Sequence, residues 1–300
     1  MKIGLIDVDG HRFPNLALMK LSTYHKEQGD TVEWVNFWDR YDRVYCSKVF
    51  TFTPDERTYI QADEIIKGGT GYNMFDDLFC DDVLPDYTLY PQYKEAYGFL
   101  TRGCIRKCDW CIVPYKEGKI RPYNDIETVL QGRKSAVLLD NNVLACGWGL
   151  EQIEKIIKLK CRIDFNQGLD ARLVTDDVAK MLSRVKWIRY IRFAMDTQSQ
   201  IEPFVKAVER LNRYGINNRK IFVYTLLQDL NDSYTRINIA KELKVMPFAQ
   251  PYISFCENKP IPQWQHDMAR YVNHKAIFKS IDFKQYKPRK GVVCAEYFNV

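Results

Sequence analysis

Several absences narrow this chain before any motif does. No run of about 18 apolar residues occurs, so no stretch reads as a membrane span. Met1 to Ile6 leads straight into Asp7 and Asp9 rather than into a charged and then apolar leader. The expectation is a soluble, cytoplasmic protein with no membrane partner. Nine cysteines is an odd number, clustered rather than evenly spaced, and with no secretion signal they do not suggest a disulfide framework. A second C-x-x-C pair and an H-x-x-x-H pair are both missing, so a structural zinc site, which wants four ligands, is short of them. No arginine-rich run marks a nucleic-acid module.

What is there centres on Gly98 to Pro114, GFLTRGCIRKCDWCIVP, with Cys104, Cys108 and Cys111 just after an apolar strand-like run. Cysteines packed this closely on one short irregular segment are hard to bury as core filler, and a metal centre is the expectation. Iron-sulfur cubes are held by thiolates, so three of them leave one iron without a protein ligand. A zinc or redox use of the thiols stays open on the residues alone. The C-x-x-x-C-x-x-C spacing directly after a strand, with Trp110 before the last cysteine, resembles the radical S-adenosylmethionine (radical SAM) superfamily. That resemblance implies a [4Fe-4S] cluster on Cys104, Cys108 and Cys111 whose open iron chelates SAM. It further implies reductive cleavage of SAM to a 5′-deoxyadenosyl radical acting on a substrate, with a flavodoxin or ferredoxin-type electron donor.

Charge is unevenly spread. Residues 1 to 100 hold 17 acids against 10 bases, net −7, and the remaining 200 hold 21 against 34, net +13. Such asymmetry suits an acidic substrate, including nucleic acid, or an acidic reductant, and equally a solvated basic face.

In the first part, Lys2 to Val8, Thr31 to Val35, Tyr41 to Phe52 and Glu64 to Lys67 read as strands, and Asn15 to Gln28 as a helix stopped by Gly29. The alternation argues for an α/β fold, here a small doubly wound N-terminal domain over residues 1–94. It resembles the Rossmann-like cobalamin-binding domain that precedes many radical SAM cores. Asp9-Gly10-His11 matches the Asp and His of the D-x-H-x-x-G loop, with Pro14 in place of the final glycine. The resemblance admits cobalamin as a cofactor, with Gly68, Gly69 and Gly71 facing its tail. The alternative is a turn and helix cap at Asp9 and His11 and a tight turn at the glycines. Asp76 to Leu89, acidic and Pro-containing, reads as a linker.

The second part, residues 95–260, shows six strand and helix units. The strands are Tyr97 to Arg102, Ala136 to Leu139, Arg162 to Asn166, Trp187 to Met195, Lys220 to Leu227 and Pro251 to Phe255. Parallel strands with crossover helices follow, and their number matches the partial (β/α)6 barrel of the radical SAM family. Chemistry on such barrels gathers at the carboxyl ends of strands. The polar residues there are assigned as SAM contacts: Asp140, Asn141 and Asn142 to the methionine amino group, Arg172 to its carboxylate, Asp196 to the ribose hydroxyls, and Trp110 near the adenine. A cap or strand-end role is the structural alternative for each. The family's G-G-E after the second strand and G-x-I-x-G-x-x-E on the fifth are absent; Leu139-Asp140-Asn141-Asn142 and Leu226-Leu227-Gln228-Asp229 stand there.

Cys46 and Cys80 also resemble, imperfectly, two of the three N-terminal cysteines that hold a second cluster in the methylthiotransferases, where this chain offers Asp9 or His11 for the third. The other reading of both is as small buried hydrophobes. Cys146, Cys161, Cys256 and Cys294 show no ligand spacing. Residues 261–300 read as a C-terminal helix followed by a basic stretch, Lys284 to Lys290, that either contacts phosphates or is a solvated loop. The leading expectation is a radical SAM enzyme with an unidentified substrate. The alternatives are a methylthiotransferase-like RNA or protein modifying enzyme and a non-catalytic metal-binding nucleic-acid module.

Overall fold

The computed structural model describes residues 1–254 and 260–299. It divides into two compact units, Met1–Tyr97 and Gly98–Val300. Phe255, expected to end the sixth strand, and Cys256 lie outside the described residues. The fold is α/β with parallel sheets. Among the described residues no helix is long and apolar enough to cross a membrane.

The first unit contains β1 (Lys2–Asp7), α1 (Leu16–Glu27), β2 (Thr31–Trp34), β3 (Arg40–Ser47) and β4 (Gln61–Gly68). The strands form a parallel sheet in the order β2-β1-β3-β4. Alternation along the strands sends Ile3, Leu5 and Tyr45 to one face, where Leu18 and Leu21 of α1 cover them. Ile6, Val44 and Cys46 go to the other, and loop chain carrying Val35, Phe37 and Ile60, with Tyr72 at the end of a single 3-10 turn, covers that face. Each fully buried aliphatic side chain contributes roughly 1.5–3 kcal/mol. A doubly wound sheet carries α-helices on both faces; here an α-helix serves one. The physical reason is the short β2–β3 connection, since a helical crossover between parallel strands needs about a dozen residues or more. Gly4 makes the short path feasible, because a Cβ there would lie 2.6 Å from Val35 Cγ2.

Helix α1 is capped by Asn15, whose side chain accepts from Leu18 N at 3.3 Å. The Asp76 to Leu89 stretch is part of this unit's core rather than a linker. Leu78, Val83 and Leu89 pack on the α1 face around buried Cys80. Its acids are held by α1: Lys20 Nζ reaches Asp81 at 2.6 Å, while Ser22 Oγ and Lys26 Nζ reach Asp86 at 2.7 and 2.6 Å.

The second unit begins within β5 (Ala96–Gly98) and continues through β6 (Thr101–Arg102), α2 (Val113–Lys116), β7 (Arg121–Pro122), α3 (Ile126–Leu130), β8 (Ser135–Leu138) and α4 (Gly147–Leu159). Then come β9 (Arg162–Phe165), α5 (Asp176–Arg184), β10 (Lys186–Trp187), β11 (Ile191–Ala194) and α6 (Ile201–Arg213). It closes with β12 (Ile221–Leu227), α7 (Leu230–Glu242), β13 (Met246–Pro251), α8 (Gln263–Asn273) and α9 (Lys275–Ser280). Two sheets run β10-β9-β8-β5 and β11-β12-β13. A parallel bridge between Leu169 and Phe193, with Leu169 N donating to Arg192 O at 2.7 Å, links the β9 and β11 sides. The major strands therefore succeed one another in sequence order, with caps such as Thr175 on α5 starting the crossover helices.

Three strands differ from expectation, the first because Tyr97 to Arg102 is divided between β5 and β6, which lie in different sheets. The fourth is split into β10 and β11, and the sixth, expected at Pro251, is β13 and starts at Met246. Pro247 lies within β13, which ends its sheet, and an edge strand tolerates a residue without an N–H. The C-terminal region also belongs to the second unit. Met268, Tyr271, Val272, Phe278 and Phe283 share one core with Leu227, Ile237 and Ala249. Its basic stretch is partly used there, since Lys284 lies 4.6 Å from the Phe298 ring centroid and Arg289 pairs with buried Asp267 at 2.7 Å.

Candidate metal centre

The cysteine loop hangs from the short antiparallel pair of β6 and β7. Its entry is tight: Gly103 has φ +81°, and a Cβ there would meet Lys119 O at 2.3 Å. Cys104 N donates to Gly118 O at 3.2 Å, and Cys111 N donates to Cys108 O at 3.0 Å. Glu117 ties the loop to its surroundings. Its Oε2 accepts from Arg102 Nε at 2.9 Å, Gly103 N at 3.2 Å and Asn141 Nδ2 at 2.8 Å.

All three cysteines line a cavity of ≈ 220 Å³, together with Trp110, Asn141, Asn142, Arg172 and Asp196. Asn141 and Asn142 follow β8, Arg172 follows β9, and Asp196 follows β11, so the cavity sits at carboxyl ends of strands, as in barrel enzymes. Asp140 is not among the lining residues. It is 2 % exposed and accepts from Leu100 N at 3.1 Å, Thr101 N at 2.6 Å and Thr101 Oγ1 at 2.7 Å. The structure thus puts this carboxylate on the β5–β6 turn, away from the amino-group role expected of it.

Asp170 organises the opposite wall. It accepts from Arg172 Nε at 2.6 Å and Nη2 at 3.1 Å, from Arg106 Nε at 2.9 Å, and from Asn142 Nδ2 at 3.3 Å. Burial pushes its carboxyl up, but the two guanidiniums outweigh that and hold it below the ordinary range. Asp196 accepts from Leu226 N at 2.9 Å, and burial raises its pKa despite Arg236 and Arg172 nearby. Gln200, also on the wall, accepts from the backbone N–H of Asp196 and fixes that turn.

Two observations bear on whether these residues suit an iron-sulfur cube. Burial, and then the neighbouring thiols, raise the Cys108 thiol; burial is also the largest cause at Cys111, with Cys104 adding to it. Thiols in that setting are held protonated until a cation joins them. Asn142 Oδ1 is buried beside them with no partner, an acceptor aimed at nothing in the protein. Among the described residues no three His, Cys, Asp or Glu side chains are gathered tightly enough to hold a single ion. A cube makes a different demand, with each thiolate on its own iron. The donor set fits a cube.

The first unit's candidates are used structurally. Asp9 accepts from Val49 N and, at 2.6 Å, from Thr53 Oγ1, clamping the loop after β3, while His11 packs edge-on against Trp34 at 4.2 Å. The helix cap expected of these residues is Asn15. Gly69, at φ +103°, and Gly71 form a tight turn against the Lys48 backbone. Nothing in this arrangement supports cobalamin. Cys46 and Cys80 pack into separate cores on opposite faces of the sheet, so they do not share a site. Arg106 and Glu117 carry no signal in the sequence, because they act on Asp170 and Asn141, far along the chain; Gln200 does carry one, since Thr197-Gln198-Ser199-Gln200 has the T-x-x-Q form of a capping box.

No protein-family model matches the chain. It is 25% identical over 218 residues to the tRNA-2-methylthio-N(6)-dimethylallyladenosine synthase of Clostridium novyi (strain NT), covering 67% of this chain and 44% of that protein. With the synthase of the same description from Thermotoga petrophila it shares 23% over 243 residues, 73% of this chain and 50% of the relative. A Hydrogenobaculum sp. synthase so described is 32% identical over 116 residues, 32% of this chain and 26% of that protein. The chain spans about half the length of the first curated relatives it matches.

Proposed function

We propose that the protein is a radical SAM enzyme that modifies a nucleoside within RNA, close in kind to the methylthiotransferase-like alternative of the sequence reading. The similarity to tRNA-2-methylthio-N(6)-dimethylallyladenosine synthases supports an RNA substrate over an undefined one. The net charge of +13 over residues 101 to 300 agrees with a polyanionic substrate and with an acidic flavodoxin or ferredoxin-type donor. The observation that carries the reading is that Cys104, Cys108 and Cys111 line one cavity with Trp110, Asn141, Asn142, Arg172 and Asp196.

In this reading the three thiolates hold a [4Fe-4S] cluster, which when bound supplies the electron for reductive cleavage of SAM. Arg172, steadied by Asp170, orients the methionine carboxylate through its remaining guanidinium edge. The unpaired Asn142 Oδ1 and the Asn141 carbonyl oxygen accept from the amino group. Asp196 accepts from the ribose hydroxyls, and Trp110 lies against the adenine. Asp140 has no part in binding, because its oxygens serve Leu100 and Thr101. A second cluster does not fit on Cys46 and Cys80, since they sit in separate cores.

Anaerobic reconstitution tests the proposal. The protein should take up about four irons per chain and, with dithionite, convert SAM to 5′-deoxyadenosine. Turnover should rise on adding transfer RNA, and mass spectrometry of its nucleosides should show the product. Zinc with all four positions filled by protein, or iron without SAM cleavage, would overturn the enzyme reading. Stimulation by a small-metabolite pool but not by RNA would overturn the substrate class alone.

A further inference from the structure

We propose that Asn142 is a redox-positioning residue, its side-chain amide donating to the sulfur of Cys104 and thereby raising the electron affinity of the cluster that the thiolates carry. The inference rests on the cluster reading above and adds to it a role for a residue that is not itself a ligand.

Cys104 Sγ accepts two N–H groups, from Asn142 Nδ2 at 3.5 Å and from the Arg106 backbone at 3.3 Å. The amide cannot turn over. Its nitrogen also donates to Asp170 Oδ2 at 3.3 Å, and flipping it would set Oδ1 against that carboxylate oxygen. Asp170 in turn is fixed by Arg172 and Arg106, and Asn142 itself is 3 % exposed. The backbone is held as well, with Ala145 N donating to Asn142 O at 3.0 Å. An N–H group is therefore aimed at one thiolate by a rigid chain of partners, in a wall largely shielded from water.

Reduction puts one more negative charge on the cluster and its sulfurs. A hydrogen bond to a sulfur is worth more in that state, so each donor raises the reduction potential, and burial strengthens the effect. The arrangement also explains why Asn142 spends its nitrogen on the protein while its oxygen has no partner there.

The test is an anaerobic redox titration of the reconstituted protein, followed by electron paramagnetic resonance with no SAM added. Asn142→Leu keeps the approximate shape and removes the N–H. It should disfavour one-electron reduction about tenfold, a fall of about 59 mV, at unchanged iron content. Asn142→Asp, which has no N–H and adds negative charge, should move the same way and serves if the leucine variant loses iron. Iron-loaded variants that titrate with the parent would overturn the inference and leave the cluster reading standing. A parent that binds no iron would overturn both.

Discussion

Asp170 grips Arg172 from two residues away with both oxygens, Oδ1 on Nε at 2.6 Å and Oδ2 on Nη2 at 3.1 Å. The pair orients the guanidinium without exhausting it, since Nη1 is not part of the fork. Its side chain is 31 % exposed against 7 % for Asp170, so the carboxylate acts as the buried post and the guanidinium as the arm reaching the cavity. This division suits a site that receives a carboxylate ligand, because the arm is already paid in rotamer entropy before the ligand arrives.

Arg172→Lys should therefore weaken SAM binding with little effect on the iron. A lysine keeps the charge but cannot bridge Asp170 and a ligand carboxylate with a planar fork. A loss of about tenfold in affinity, about 1.4 kcal/mol, is expected. Equilibrium dialysis of reconstituted protein measures it, and unchanged affinity would remove Arg172 from the site.

Asp140 gives the fold a pH dependence with a definite sign. Burial pushes its carboxyl up to about 6, against the hydrogen bonds from Thr101 and Leu100 that favour the charged form. A carboxyl raised in the folded state makes its full contribution to stability below the unfolded pKa, about 4, and loses it as pH rises through about 6. Urea unfolding should show about 2 kcal/mol less stability from this group at pH 7 than at pH 4. Asp7 and Asp196 are shifted in the same direction, again chiefly by burial. Asp140→Asn should flatten the dependence between pH 4 and pH 6; an unaltered slope would mean that the carboxyl titrates normally.

The succession of strand and helix units in the second unit and the cysteine loop are legible because their signals are local: short apolar runs alternating with helical ones, and thiols at fixed spacing. Asp140 was not, since a carboxylate at a strand end looks alike whether it faces a ligand or clamps Leu100 and Thr101, 40 and 39 residues back. The acidic stretch after Asp76 was read as a linker because its partners lie far off; Asp81 meets Lys20 across 61 residues. The start of β13 at Met246 was not legible, because only the sheet order reveals the edge position that accommodates Pro247. Asn142 is expected at the cavity from its strand-end position, but not the double use of its amide nitrogen, on Cys104 and on Asp170, which depends on Asp170 arriving from another strand end.

Gly103 is where backbone conformation and the metal centre meet. It precedes Cys104, has φ +81°, and passes so close to the β7 side of the loop that a Cβ would stand 2.3 Å from Lys119 O and 2.7 Å from Gly118 O. Both contacts are backbone, so no side-chain rotation can relieve them, and an L-residue at this φ costs about 1–3 kcal/mol even without the clash. The same Gly118 carbonyl accepts from Cys104 N, so any displacement moves the first thiol directly. Gly103→Ala should therefore lower reconstituted iron several-fold while far-ultraviolet circular dichroism stays close to the parent's, the strands being built elsewhere. Parent-like iron uptake in this variant would show that the Cys104 position tolerates a shift of the loop entry, and that the thiols are gathered by some constraint other than this turn.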